Sequence, residues 1–203
     1  MSRALVVATG NPGKLAEFAH ALRDLPVEVL GLDALSDRTE VDETGATFEE
    51  NARLKAEAYS LRTPHPVLAD DSGLEVDALG GAPGIRSARY GGPGLSDPDR
   101  CELVLEEMRD IPDGKRTARF RCALVLAQGG RTIETFPGVA EGTILRAPRG
   151  ANGFGYDPII FFPPLGRSFA ELTRAEKEAV SHRGQSVLAF KSYCVRSASS
   201  FRG

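Results

Sequence analysis

Short apolar runs alternate with amphipathic segments in the first half of the chain. Residues 4–8, ALVVA, are rich in β-branched side chains, the pattern of a strand buried on both faces. Asn11 can then cap a helix and Pro12 suits its first position. Apolar residues follow at helical spacing at Leu15, Phe18, Ala19 and Leu22. The pattern predicts a central strand, a loop and an amphipathic helix.

The same alternation continues to about residue 71. Residues 27–32 read as a second strand and are followed by an acidic loop without periodicity. Thr47 and Glu50 have the spacing of a capping box, which predicts a helix over 48–62. The apolar run in PVLADDSG predicts a strand that ends at its two aspartates. Carboxylates at a strand end are expected to face a cleft.

The second half of the chain predicts a further mixture of helices and strands. The first elements are a helix capped by Ser96 and Asp99 and ending at Ile111, and an antiparallel pair of strands over 116–128 and 131–144. A long loop over 146–158 and a strand over 159–162 follow. The chain then continues with a helix opened by the capping box of Thr173 and Glu176, a helix over 181–195, and a frayed tail over 196–203. We expect an α/β fold.

Size and charge narrow the class of protein. A chain of 203 residues with 41% hydrophobic side chains can bury one good core, which favours one domain or a tightly joined pair, and our prediction is a single domain over 1–203. The net charge of −3 gives no general footprint for a nucleic-acid backbone. Three scattered cysteines and the lack of a long apolar run favour a cytoplasmic, soluble protein. We therefore expect small-molecule partners, with neither nucleic acid nor membrane.

The stretch TGNPGK joins the first strand to the first helix. Its spacing fits neither the Walker A motif nor G-x-G-x-x-G. Even so, the free N–H groups of a helix N-terminus beside a lysine can bind an anion, and side chains of the loop can add hydrogen bonds. An ordinary capped turn is an equally good interpretation of this segment alone. The candidate binding residues are Thr9, Gly10, Asn11, Pro12, Gly13 and Lys14.

Two pairs of acids suggest a divalent metal site. Asp70 and Asp71 are neighbours in an extended segment, so their side chains face opposite ways, and Asp71 is our candidate ligand. With Asp42 and Glu43 it forms the sparse carboxylate set typical of Mg²⁺ held jointly by protein and substrate phosphates. The alternative is that all of these are solvated loop acids.

Other candidates carry cations, an aromatic face or hydrogen-bonding groups. Lys55, on the same helix as Asn51, could face a triphosphate, or it could be a solvated lysine. The segment GFGYD offers Phe154 or Tyr156 for stacking a base and Asp157 as an acceptor, or a core aromatic framed by glycines. Three more polar candidates are Lys177, His182 and Arg183, for which a solvated lysine and a capping histidine are the alternatives.

Five motifs in this order resemble the inosine triphosphate pyrophosphatase family, the noncanonical purine (dITP/XTP) triphosphatases. The resemblance covers about residues 4–190 through TGNPGK, TFEENARLKA, LADDSGLEVDALGGAPGIRSARY, GFGYDPI and ELTRAEKEAVSHRGQ. It implies an elongated mixed β-sheet flanked by helices, two lobes with a central nucleotide cleft, and a homodimer. The implied reaction is hydrolysis of the triphosphate (ITP, dITP or XTP) to the monophosphate and pyrophosphate, which cleanses the nucleotide pool.

The resemblance also implies roles for individual residues. The acid matching Asp71 is the metal-bound proton acceptor, and Ser72 lies against the nucleotide. The second metal ligand falls on Asp42 by register, but Glu43 remains open because a direct bond from the shorter side chain is less certain. The remaining matches to base and phosphate contacts are Phe154, Gly155, Tyr156, Asp157, Lys177, His182 and Arg183.

Two other functions remain open at this point. A nucleotide sensor would bind without turnover, but it does not explain an acid cluster beside a phosphate loop. A phosphotransferase would need a second pocket for an acceptor, and no motif for one is visible in the sequence. For the hydrolase, donors that suit a 6-oxo purine would be left unpaired by a 6-amino group, so hypoxanthine and xanthine should be preferred over adenine.

Overall fold

A computed structural model describes residues 3–35 and 37–200 of the chain. Within these residues the strands are β1 (Arg3–Val7), β2 (Val27–Leu30), β3 (Val67–Val76), β4 (Thr117–Gln128), β5 (Arg131–Ile144), β6 (Ile160–Phe162) and β7 (Arg167–Ser168). The helices are α1 (Pro12–Ala21), α2 (Phe48–Ser60), α3 (Asp97–Glu107), α4 (Arg174–Val180) and α5 (His182–Ser200). In this described part of the chain, no helix is both long and apolar enough to cross a membrane.

The strands form one mixed sheet in the order β2-β1-β3-β4-β5-β6-β7. Strand β1 runs parallel to both β2 and β3, with Leu5 opposite Val29 and Val7 opposite Leu68. Parallel neighbours need a crossover, which α1 and α2 supply. Strand β6 is antiparallel to both β5 and β7. The prediction of an α/β fold with a mixed sheet and helices is therefore confirmed.

The chain divides into two compact units. The first comprises Met1–Asp71, Cys122–Gly138 and Arg183–Gly203, and the second comprises Ser72–Arg121 and Val139–His182. The buried cluster of the first unit is Leu5, Val7, Phe18, Ala21, Leu22, Leu68, Cys122, Leu124, Leu126, Phe136, Val187 and Phe190. That of the second unit is Leu74, Val76, Cys101, Val104, Met108, Ala118, Phe120, Ala140, Ile144, Tyr156, Ile159, Ile160, Phe169 and Leu172.

Local capping signals identify the helix starts correctly. The Asn11 side chain accepts a hydrogen bond from the Lys14 amide at the start of α1. The Thr47 hydroxyl accepts from Glu50 N–H at the start of α2. A complete capping box opens α4, as predicted, and another opens α3, where Ser96 and Asp99 were predicted as caps. The box predicted at α2 is incomplete, because the Glu50 carboxylate accepts from Ala46 N–H and not from Thr47 N–H. These bonds satisfy amides that have no partner within the helix, so a few residues decide where each helix begins.

Three predicted boundaries are wrong by four or more residues. Strand β3 does not end at the two aspartates but continues to Val76, because Leu74 and Val76 are buried in the core of the second unit. Helix α3 ends at Glu107, four residues before Ile111. Helix α5 runs to Ser200, so the tail is helical there, and residues 201–203 lie outside the described part of the chain.

Candidate functional site

The TGNPGK loop leads from β1 into the N-terminus of α1. The Thr9 hydroxyl accepts a hydrogen bond from Asn11 N–H at 3.2 Å, and the Asn11 side chain accepts from Lys14 N–H at 3.1 Å. The side-chain oxygens of Thr9 and Asn11 therefore shape the loop. The sequence analysis proposed both residues as contacts of the substrate. Gly10, Asn11 and Pro12 are exposed. An exposed helix N-terminus can receive an anion.

Asp70 anchors the lysine of this loop. Its carboxylate is buried and lies 2.9 Å from the Lys14 ammonium and 3.3 Å from the Arg183 guanidinium. Burial opposes the charged form, but Lys14, Arg183 and Lys55 together outweigh it and hold the pKa of Asp70 well below its usual range. Asp70, which was not among the predicted site residues, therefore positions Lys14.

Asp71 faces a different set of partners, as alternation along a strand requires. Its carboxylate accepts a hydrogen bond from the Asn51 amide at 3.1 Å, and the Lys55 ammonium lies 3.9 Å away. Burial raises the pKa of Asp71 to about 6, although Lys55 opposes the shift and Glu43 adds to it. Asp71 is thus buried within a strand, and the expectation of an exposed strand end is wrong.

Asn51 connects Asp71 to the acidic loop. It is fully buried, and its side-chain oxygen accepts from Gly45 N–H at 2.8 Å while its amide donates to Asp71. A Cβ at Gly45 would lie 2.6 Å from the Glu50 Cβ and 2.8 Å from the Asn51 oxygen, so only glycine allows this approach. Asn51 is therefore placed to orient Asp71 and the loop, and its contact with the substrate stays a prediction.

The acidic loop brings Glu43, not Asp42, to this cluster. Glu43 accepts a hydrogen bond from the Lys55 ammonium at 2.6 Å, whereas Asp42 is exposed. Burial disfavours the charged form of Lys55, but Asp70, Asp71 and Glu43 together raise its pKa above the usual value. Among the described residues, no group of three or more His, Cys, Asp or Glu side chains could hold a metal ion by itself.

Arg183 is an internal cation of the first unit. It is 3% exposed, and its guanidinium lies 2.5 Å from Glu17 and 3.3 Å from Asp70. The two carboxylates outweigh burial and raise the pKa of Arg183. Arg183 therefore supports Asp70, which in turn holds Lys14. Its contact with the nucleotide stays a prediction.

In the second unit, the GFGYD loop is fixed by an ion pair. The Asp157 carboxylate accepts from Phe154 N–H at 2.9 Å and from the Lys177 ammonium at 2.6 Å. Both charged side chains are buried. Gly153 has a φ of +77°, and a Cβ there would lie 2.0 Å from Asp157 Oδ2. Asp157 and Lys177, predicted to bind substrate, are therefore engaged in shaping the loop.

The two aromatic residues of this loop differ in exposure. Tyr156 is buried in the core of the second unit, where its hydroxyl donates to the Ser87 carbonyl at 2.9 Å. Phe154 is only partly buried, and the Lys177 ammonium lies 4.7 Å from its ring centroid. Of the two alternatives, the geometry favours Phe154 as the face for stacking a base and makes Tyr156 a core residue.

Three further candidates belong to the second unit. His182 begins α5, as predicted, and is 5% exposed, with its ring stacked on Phe120 at a centroid distance of 4.8 Å. Ser72 is partly buried in β3, directly after Asp71. Gly155 is partly buried in the loop beside Phe154.

The sequence did not identify several residues that shape these clusters. Asp70 and Glu17 hold Arg183 and Lys14, and Asp97 contacts the GFGYD loop. Among these residues, only Asp70 has a local sequence pattern that indicates its position, because strand alternation places it on the face opposite Asp71. The others depend on contacts between distant segments.

Known proteins of similar sequence match most of this chain. The family model described as the Ham1 family matches residues 5–193. The dITP/XTP pyrophosphatase of Yersinia pestis is 50% identical over 185 residues, 90% of this chain and 93% of that protein. The protein of the same name from Geobacter sulfurreducens is 48% identical over 189 residues, 93% of this chain and 95% of that protein.

Solved structures give the same result. A HAM1 protein from Coxiella burnetii superposes with a TM-score of 0.87 at 41% identity, covering 96% of this chain and 99% of that chain. The Staphylococcus aureus Ham1 protein gives a TM-score of 0.86 at 37% identity, covering 96% of this chain and all of that chain. Both the sequence match and the fold extend over nearly the whole length, so this chain belongs to the Ham1 family.

Proposed function

We propose that this protein hydrolyses noncanonical purine nucleoside triphosphates, such as dITP, XTP and ITP, to the monophosphate and pyrophosphate. The observation that carries the proposal is the acid pair in β3. Asp70 holds the lysine of an exposed anion loop, while Asp71 lies beside Lys55 and Glu43. Relatives about half identical to this chain are named dITP/XTP pyrophosphatase, which fits such a phosphate site.

The first unit supplies the groups for the phosphates. A nucleoside triphosphate carries about four negative charges, and Lys14, Lys55 and the amides at the start of α1 can offset part of them. Asn51 holds Asp71 in one orientation, from which it can orient a water molecule and accept its proton as that water attacks the α-phosphorus. Pyrophosphate then leaves from the same phosphorus.

A Mg²⁺ ion fits the donor set of this cluster. Glu43 and Asp71 lie 2.6 Å and 3.9 Å from the Lys55 ammonium, and this shared cationic neighbour supports the proposal. Two carboxylates are too few for a complete cage, so the ion would share its coordination with substrate phosphates and water. We propose Glu43 as the second ligand in preference to the exposed Asp42. A bound Mg²⁺ would stabilise charge on the phosphates.

The second unit supplies the platform for the base. The partly exposed ring of Phe154 can stack on a purine, and its backbone is held by Asp157 and Lys177. A hydrogen-bond donor that faces the 6-oxo group of a purine would be left without an acceptor by a 6-amino group. This favours hypoxanthine and xanthine over adenine.

One assay tests the proposal and separates the alternatives. Purified protein is incubated with ITP, XTP, GTP or ATP, with and without Mg²⁺, and pyrophosphate and orthophosphate are measured separately. We expect Mg²⁺-dependent release of pyrophosphate from ITP and XTP, little release from ATP, and loss of turnover in Asp71→Asn. Binding without turnover would indicate a sensor, and a requirement for an acceptor would indicate a transferase. Equal turnover of ATP and ITP would refute the base preference.

We also propose a homodimer in the cytoplasm. The dimer follows from the family resemblance, and light scattering coupled to size-exclusion chromatography tests it, with about twice the 21.7 kDa chain mass expected. All three cysteines are free, and two of them are buried, which suits a reducing compartment.

A further inference from the structure

Helix α3 contacts both main-chain groups of Gly155, in the middle of the GFGYD loop. The Asp97 carboxylate accepts a hydrogen bond from Gly155 N–H at 2.8 Å. The Cys101 thiol lies 3.3 Å from the Gly155 carbonyl oxygen and donates to it. Asp97 and Cys101 are four residues apart and so lie on one face of α3. A single helix face therefore receives one peptide segment of this loop.

These contacts fix the peptide on the C-terminal side of Phe154. On its N-terminal side, Phe154 N–H already donates to Asp157. On the other side, Gly155 has a φ of +60° and makes its polar contacts with α3. The Phe154 ring is carried by a backbone held from both directions, so its orientation depends on both carboxylates.

The supporting thiol remains a donor over the working pH range. Cys101 is 2% exposed, and burial together with the nearby Asp97 and Asp157 carboxylates raises its pKa to about 12. A neutral thiol is only a weak donor. Most of the restraint on Gly155 therefore comes from Asp97, whose hydrogen bond is charge-assisted.

We propose that Asp97 is a positioning residue that holds Gly155 so that the Phe154 ring is presented to the purine base. The proposal rests on the proposed function, in which this loop binds the base. It gives α3 a role in base selection, although Asp97 itself touches no substrate. Without this bond the loop samples other conformations, and some of the binding energy of the base is then used to order it.

The chain offers a matched control at the same end of the helix. Asp99 is also exposed and acidic and also lies in the first turn of α3, but it bonds to Ser96 N–H at 2.8 Å as part of the capping box. Asp97→Ala and Asp99→Ala remove the same charge from the same helix terminus. Only Asp97→Ala removes a contact with the loop.

Steady-state kinetics with ITP and ATP test the proposal. We expect Asp97→Ala to raise KM for ITP by roughly three- to tenfold, the effect of one charge-assisted hydrogen bond in a partly exposed site, with a smaller change in kcat. The preference for ITP over ATP should fall as well. Asp97→Asn keeps an acceptor oxygen but loses the charge, so both values should lie between those of Asp97→Ala and wild type. Asp99→Ala should lower thermal stability but leave KM and selectivity unchanged.

A Phe154→Ala variant separates failure of this proposal from failure of the proposed function. If Phe154→Ala raises KM while Asp97→Ala behaves like wild type, the loop binds the base and the role of Asp97 is refuted. If Phe154→Ala also has the wild-type KM, the loop does not bind the base and both assignments fail. Amide hydrogen exchange at Gly155 should be faster in Asp97→Ala than in Asp99→Ala, and equal rates would also overturn the proposal.

Discussion

Replacing Asp70 with asparagine should destabilise the protein strongly, although the two side chains have nearly the same shape. The Asp70 carboxylate is buried and pairs with Lys14 at 2.9 Å and with Arg183 at 3.3 Å. Removing one partner of a buried ion pair costs about 3–5 kcal/mol, because the remaining charge stays buried. Arg183 keeps Glu17, and Lys14 can regain water, so we expect the lower end, about 3 kcal/mol.

Equilibrium unfolding in urea at neutral pH measures this loss. With a slope of about 2 kcal/mol per molar urea, a loss of this size lowers the midpoint by about 1.5 M. The control is Asp24→Asn, the same chemical change at an exposed aspartate of the same unit that pairs with Lys191. Its midpoint should hardly move. A shift in Asp70→Asn no larger than that of the control would show that Asp70 does not anchor Lys14 and Arg183 in a buried network.

Three further expectations follow from individual contacts. Glu43→Gln should raise the Mg²⁺ concentration needed for half-maximal pyrophosphate release by about tenfold or more, whereas Asp42→Asn should change this concentration little. If Asp42→Asn has the larger effect, Asp42 is the ligand. Hydrogen bonds with Arg167 and with the capping residue Thr173 lower the pKa of Glu176 to about 2. The ionised carboxylate therefore stabilises the folded state fully above about pH 4.3, and this stabilisation is lost as the pH falls through about 2. Thermal melts should show Glu176→Gln less stable than wild type at pH 6, with the difference closing towards pH 2, and a difference independent of pH would contradict this. Arg116 is 2% exposed and donates hydrogen bonds to four main-chain carbonyls. Arg116→Met should therefore lower the free energy of unfolding in urea by about 3 kcal/mol. A decrease of less than about 1 kcal/mol would show that these bonds are replaceable.

The predictable part of the fold comes from signals that act over a few residues. The Asn11 cap and the capping box of Thr173 and Glu176 each pair residues three apart, so the sequence places them correctly. Alternation along β3 likewise predicted that Asp70 and Asp71 face different partners. The family resemblance added the sheet type and the nature of the reaction, neither of which these local signals contain.

The bonding partners of the site residues could not be predicted in this way. Arg183 meets Glu17 across 166 residues and Asp70 across 113, and Gly155 meets Asp97 across 58. Such pairs form only after the strand order brings distant segments together, and no spacing in the sequence encodes them. For this reason the sequence did not show that Arg183 and Asp157 also hold other site residues in place.

The sequence by itself determined where the helices start, the alternating faces of the strands and the family. The tertiary structure decided which charges are buried together. Lys14 and Arg183 hold Asp70 as a buried anion, whereas Asp71 lies beside Lys55 and Glu43, although the two residues are chemically identical neighbours. The physical reason is that the free energy of a buried charge depends on the cations placed around it, and those cations come from distant parts of the chain.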